Sequence, residues 1–85
     1  MTSRTPLDSR RLLRWVLYRG AEAITCQIDR SVADGSYAVS VVPHRDLTAA
    51  AIETYDASLP AFQRHAAIVS ELRQTGWKMA AYQAA

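Results

Sequence analysis

Apolar and polar residues alternate along the first half of the chain, from Trp15 to Pro43, and a helical spacing replaces this alternation from Leu59 to Leu72. Alternation is typical of strands that bury one face, whereas apolar residues three and four positions apart are typical of an amphipathic helix. Strands followed by one helix favour a two-layer domain in which the helix covers one face of a sheet. The sequence therefore predicts an α+β fold whose other sheet face is open and holds any binding function.

Three antiparallel strands are predicted from the alternation. Gly20 ends the first of them, Asp34-Gly35 supplies the turn before the third, and Pro43 closes the third because it lacks a backbone donor. These strands are expected at about residues 11–19, 22–29 and 36–43.

The segment before the helix fits two structures. Residues 49–57 contain alanines and Glu53, which favour helix, and also β-branched and aromatic residues, which favour strand. A fourth strand at about 49–56 is the preferred interpretation, because Ser58 near the cap and Pro60 in the first turn predict a fresh helix start. Residues 79–83 alternate weakly, and both an edge strand and a frayed tail remain open there.

The helix is predicted at about residues 59–75, ending at Gly76 with Trp77 folded back on the last turn. Residues 1–9 are expected to form a flexible tail ahead of a single domain, residues 10–85. The predicted core takes Trp15, Leu17, Ile24, Cys26 and Ile28 from the strands and Leu59, Phe62, Ala66, Ile68, Val69 and Leu72 from the helix.

Composition adds a charge asymmetry to this picture. The chain is 49% hydrophobic and 21% charged, as in ordinary globular domains. Its net charge of +2 combines +4 over residues 1–19, which hold five arginines, with −2 over the remainder. A basic segment favours anionic partners, and solvated surface arginines are the alternative explanation. A single cysteine and the lack of a long apolar run predict a cytoplasmic protein that binds no membrane.

Candidate catalytic chemistry centres on Cys26, which could act as a nucleophile with His44 or His65 as base and Asp46 orienting the histidine. The strand pattern instead places Cys26 among buried apolar residues, and a partly buried His65 with one hydrogen bond is expected. The cysteine and histidines do not form a metal-binding spacing, and the glycines do not form a phosphate loop. We therefore expect no catalytic residues, no metal and no cofactor.

The open sheet face is the predicted binding surface. The leading hypothesis is self-association and binding of a protein partner, both through this face and the loop at 44–48. The second is weak single-stranded nucleic-acid binding through Arg10, Arg11, Arg14 and Tyr18, since aromatic and cationic side chains on a sheet suit stacked bases and phosphates. A small enzyme using Cys26 or His44 is the third. The candidate binding residues are Arg10, Arg11, Arg14, Tyr18, Thr25, Gln27, His44 and Arg45.

Three segments, residues 14–26 (RWVLYRGAEAITC), 37–44 (YAVSVVPH) and 64–77 (RHAAIVSELRQTGW), resemble a group of small uncharacterised bacterial proteins. That resemblance implies a bacterial origin and no particular activity. The predicted order of four strands and one helix is also similar to that of Whirly-like single-strand-binding modules, which commonly work as pairs. This chain lacks their lysine-rich motif, so nucleic-acid binding stays the second hypothesis.

Overall fold

Within residues 9–84, five antiparallel strands are backed by one α-helix, which confirms the predicted α+β class and adds one strand to it. The computed structural model describes residues 9–84, with the side chains of residues 9–80. The strands are β1 (Ser9–Arg19), β2 (Glu22–Ser31), β3 (Tyr37–Pro43), β4 (Ala51–Tyr55) and β5 (Lys78–Ala84); the helix is α1 (Ser58–Gln74), and a 3-10 helix covers Leu47–Ala49.

The sheet has the order β4-β3-β2-β1-β5. The first four strands follow one another as a meander, and α1 then crosses the sheet so that β5 pairs with β1 at the far edge. Residues 49–57 therefore contain a strand, and residues 78–84 form an edge strand. The predicted tail at residues 1–9 lies outside the described residues except for Ser9, which pairs with Ser31.

A two-residue loop joins β1 to β2, with Arg19 directly opposite Glu22. Gly20 opens this loop with a φ of 60°, a left-handed conformation that glycine adopts without steric cost. The predicted turn before β3 is also present, and there the backbone N–H of Ser36 donates to Asp34 Oδ1 at 2.9 Å. Short local turns thus hold the first three strands in register.

The core lies between the sheet and α1 in two neighbouring clusters. The inward-facing strand residues are those that the alternation predicts. On the helix, Ala61, His65 and Val69 are buried against them. The first cluster contains Leu17, Ile24, Cys26 and Val69, with Trp15, Ile68, Leu72 and Trp77 packed on it; the second contains Ile28, Val39 and Ala61.

The prediction that Leu59 and Phe62 join the core is wrong, since their exposed fractions are 65% and 40%. Ala66 is exposed as well. The helix is rotated so that His65 points at the sheet, whereas Leu59, Phe62 and Ala66 point away from it. The His65 Nε2 donates a hydrogen bond to the Cys26 carbonyl oxygen at 3.2 Å. A polar side chain that is buried needs such a partner, and the sheet provides one.

The two ends of α1 differ in how they are capped. Ala57 occupies the N-terminal cap position without a side-chain hydrogen bond, so Ser58 does not cap the helix as the sequence predicts. At the C-terminus, Gly76 has a φ of 99° and the Trp77 N–H donates to the Leu72 carbonyl oxygen at 3.0 Å. This is the Schellman arrangement, and it confirms the predicted helix stop and the folding back of Trp77.

The burial of His65 makes stability depend on pH. Desolvation lowers the pKa of His65, and the hydrogen bond to the Cys26 carbonyl opposes this only in part. In the unfolded chain the His65 side chain takes up a proton near pH 6.5, whereas in the folded chain it does so only at lower pH. The free energy of unfolding should therefore fall as the pH drops from about 6.5 through the folded pKa.

Urea unfolding of the wild type and of His65→Gln should show this loss between about pH 7 and pH 5, with a shallower decline in the variant. Equal pH dependence in the two proteins would contradict the assignment.

Candidate functional site

The open face of the sheet is formed by the strand residues that point away from α1. The register aligns them in four rows that cross the sheet. From the β5 side, the rows are Lys78, Tyr18, Ala23 and His44; Val16, Thr25 and Val42; Arg14, Gln27, Ser40 and Ile52; and Arg11, Asp29, Ala38 and Thr54.

Two rings stand on either side of a small residue in the first row. Tyr18 on β1 and His44 after β3 flank Ala23, and strands two apart in a sheet are separated by about 10 Å. Tyr18 is 42% exposed. His44 lies over Thr25, and the two share a hydrogen bond of 2.7 Å between Nε2 and Oγ1. Tyr18 and His44 therefore lie about two strand spacings apart on the open face, and the small residue Ala23 lies between them.

The charge on the open face is positive within the described part of the chain. Arg11, Arg14 and Lys78 contribute cations, and Asp29 is the acidic residue in the four rows. Gln27 donates from Nε2 to both carboxylate oxygens of Asp29, at 2.9 and 3.1 Å. This pairing orders the carboxylate beside Arg11 and leaves the middle of the face to cations and neutral hydrogen-bonding groups.

Six of the eight predicted binding residues share this face. Arg10 does not, because it lies opposite Arg30, whose guanidinium stacks over Tyr37 on the helix side at 5.8 Å. Arg45 does not either, since it lines a small cleft with Trp77, which packs on the core. A bulge between Arg11 and Leu13 separates Arg10 from the alternation of the rest of β1. The six are Arg11, Arg14, Tyr18, Thr25, Gln27 and His44.

Sequence reasoning missed Lys78 and Ser40 as members of the open face. Lys78 lies opposite Tyr18, but it begins a strand that the weak alternation left undecided. The Ser40 side chain is only 9% exposed although it points away from α1. The alternation of side chains along β3 indicates that Ser40 lies on the open face, so this pattern could have identified it as a member of that face.

Among residues 9–80, few large apolar side chains are exposed on the open face. Val16 and Val42 are half-buried in the second row, and Ile52 is exposed at the outer edge, on β4. Leu59 and Phe62, which are exposed, lie on the helix layer. The open face is therefore mainly polar, and the exposed apolar surface lies mostly elsewhere.

The parts of the hypothetical enzyme are not assembled. Cys26 is fully buried, and desolvation raises the pKa of its thiol to about 11. His65 donates to the Cys26 carbonyl oxygen rather than approaching as a base for the thiol. Asp46 accepts a hydrogen bond from the Thr48 N–H at 3.2 Å and orders its own loop. Within residues 9–84, no three metal-binding side chains cluster.

Comparison of the chain with protein-family models, with curated proteins and with solved structures finds no match. The element order, four strands, a helix and a fifth strand, is one strand longer than the Whirly-like order. In the described part of the chain, α1 is too short and too polar to cross a bilayer.

Proposed function

We propose that this protein is a small non-catalytic binding module and that its open face binds single-stranded nucleic acid. The observation that carries the proposal is the position of exposed Tyr18 between Lys78 and the arginines of β1 on an uncovered sheet. An aromatic ring offers a stacking surface to any base, and nearby cations hold the phosphates of the same strand.

Each part of the face has a role in this proposal. Arg11, Arg14 and Lys78 neutralise phosphates along β1 and β5. A base stacks on Tyr18, and the hydrogen-bonded pair of His44 and Thr25 faces the edge of that base. Polar side chains can meet an unpaired base edge, which a duplex would hide.

A protein partner is the second candidate, and one observation favours it. Ile52, on the edge strand β4, is 68% exposed, and Leu47, in the 3-10 helix that precedes β4, is 67% exposed. Exposed apolar side chains beside an unpaired strand edge suit an added strand from another chain. The mainly polar and cationic centre of the open face favours the nucleic acid.

Binding of a labelled oligonucleotide of about 12 nucleotides tests the proposal. Arg14→Ala should reduce the slope of log affinity against log salt by about 0.7, because one phosphate contact is lost. Arg30→Ala removes the same charge on the helix side and should leave the slope unchanged. Tyr18→Ala should weaken binding about 5- to 100-fold through lost stacking, whereas Tyr18→Phe should bind nearly as the wild type does.

An abasic oligonucleotide is the control ligand for the stacking contact, because it keeps the phosphates but offers no base to stack on Tyr18. Its affinity should be insensitive to Tyr18→Ala. The proposal fails if the wild type does not bind at low salt, or if Arg30→Ala weakens binding as much as Arg14→Ala does.

We also propose that the chain forms a homodimer, because a domain of 85 residues buries a modest share of its surface and gains stability by pairing. A cytoplasmic location is proposed from Cys26, a free thiol that suits a reducing compartment. The bacterial origin stays a prediction of the sequence resemblance.

A further inference from the structure

The outer edge of β4 is an unpaired strand edge within the described part of the chain. β4 ends the strand order and pairs with β3 on its inner side. Directly after β3, the backbone N–H of His44 donates to the Ala23 carbonyl oxygen on β2 at 2.9 Å. Because backbone groups alternate in direction along an antiparallel strand, the residues next to His44 in this alternation point the other way. Val39 and Val41 therefore direct their N–H and C=O groups toward β4.

The same alternation shows which backbone groups of β4 face outward. Ala51 and Glu53, the partners of these two valines, direct their N–H and C=O groups inward. Ile52 and Thr54 present theirs at the outer edge. A row of backbone donors and acceptors of this kind binds an extended chain, because such a chain offers complementary groups at the same spacing. The backbone of β4 thus specifies a strand as the occupant of this edge.

β4 lacks the devices that commonly protect a strand edge, such as proline, lysine or a bulge. The strand contains neither proline nor lysine, and its pairing with β3 is continuous. Its charged residue, Glu53, lies on the helix side, where Arg64 Nε donates to Glu53 Oε1 at 3.0 Å and offsets the charge. By contrast, β5 at the opposite edge begins with Lys78, and its pairing with β1 shifts register between Val16 and Leu17. β4 is therefore the edge that is open to a further strand.

We infer that β4 of a second copy of this chain pairs antiparallel with this edge, on a two-fold axis at Ile52, so that two five-stranded sheets become one. The inference rests on the homodimer proposed above and names its surface. At the axis, the N–H of each Ile52 donates to the carbonyl oxygen of the other Ile52. On either side, the Thr54 N–H donates to the carbonyl oxygen of Ala50 of the other copy. Ala50 is extended, with φ −63° and ψ 140°, as this pairing requires.

The side chains of β4 favour a second copy in this register. Ile52 is 68% exposed in the single chain, and the axis places it beside Ile52 of the other copy. Apolar side chains directly opposite each other stabilise a strand pair, whereas like charges opposite each other destabilise it. Glu53 lies opposite Ala51 of the other copy, whereas an axis at Glu53 would oppose the two carboxylates. The strand is thus complementary to itself, as an isologous contact requires.

The pairing leaves the two helices and the two open faces on separate sides. The axis between two antiparallel neighbours runs perpendicular to the sheet, so both copies direct α1 to the same side. The buried helix residues Ala61 and Val69 cluster with residues of β1, β2 and β3, so α1 lies over strands inside β4. The dimer therefore carries its two open faces on one continuous sheet surface.

Sedimentation equilibrium of the full chain tests the inference. Strands of five residues form a small interface, so the wild type should dimerise with a dissociation constant on the order of 10 to 100 μM. Ile52→Lys should raise this constant about 10-fold or more, because two like charges meet at the axis. Val32→Lys places the same charge on an apolar residue that is 63% exposed, in the turn after β2, and should leave the constant unchanged. Circular dichroism at about 1 μM, where the chain is monomeric, checks that both variants are folded.

Disulfide trapping tests the register. Residues that face each other at the axis have Cα atoms about 5.5 Å apart, which is within the range of a disulfide. Ile52→Cys should therefore form a disulfide-linked dimer on mild oxidation. Thr54→Cys is the matched control, because the two introduced thiols lie about 13 Å apart along the strands. Cys26 is fully buried and should not cross-link the wild type.

Weakening by Ile52→Lys but not by Val32→Lys, together with trapping through Ile52→Cys alone, would support the β4 contact. A dimer that is insensitive to Ile52→Lys, or that is trapped through Thr54→Cys, would overturn the β4 contact and keep the homodimer. A wild type that is monomeric at about 1 mM would overturn both and leave the edge to a strand from a different protein. Oligonucleotide binding is measured on the Arg14 and Tyr18 variants and is independent of these results.

Discussion

Replacing Ile28 by alanine should lower the free energy of unfolding by about 3 kcal/mol, within the usual range for truncating a fully buried aliphatic residue. Ile28 has no exposed surface and lies in one cluster with Val39 and Ala61. The backbone of β2 is held by strands on both sides, so the sheet cannot move inward to fill the cavity. Denaturant unfolding followed by circular dichroism gives the value.

Ile52→Ala is the matched control, because it makes the same substitution in the same sheet. Ile52 is 68% exposed on β4, so its loss should cost less than about 1 kcal/mol, mostly through strand propensity. Similar losses for Ile28→Ala and Ile52→Ala would mean that the two faces of the sheet are assigned wrongly.

The second large effect concerns the thiol of Cys26. We expect this thiol to react with a disulfide reagent at neutral pH on the order of 10³-fold more slowly in the folded chain than in urea, because reaction requires opening of the core. Cys26 is fully buried, and desolvation raises the pKa of the thiol to about 11, so thiolate is scarce even where the reagent arrives.

Titration with and without urea provides the measurement, and Cys26→Ser supplies the background rate. The expected result removes Cys26 as a nucleophile. Reaction of the folded protein as fast as in urea would instead restore the enzyme hypothesis.

The strand half of this fold could be predicted from the sequence because its pattern is local. Alternation from Trp15 to Pro43 specifies both the strands and the side that each residue faces, so Ile24, Cys26 and Ile28 were placed correctly. The shared face of Arg14, Tyr18, Thr25 and Gln27 follows from the same period.

The remaining features depend on tertiary contacts. The rotation of α1 is set by the contact of His65 with the Cys26 carbonyl, 39 positions earlier, and no periodicity in the helix reveals it. Simple alternation along β1 would place Arg10 on the open face, but the bulge between Arg11 and Leu13 turns it to the helix side. The fifth strand has a weak pattern of its own and exists because β1 offers it an edge, so Lys78 could not be placed on the open face.

The partnership of β1 with β5 also shapes how the chain assembles during translation. Leu13 and Ala84 are paired although almost the whole sequence separates them, whereas β1 to β4 are joined by short connections. Closing a long loop is slow compared with forming a hairpin. On the ribosome, one side of β1 therefore stays without a hydrogen-bonding neighbour until residues 78–84 emerge, and the nascent sheet is most vulnerable to mispairing in that interval.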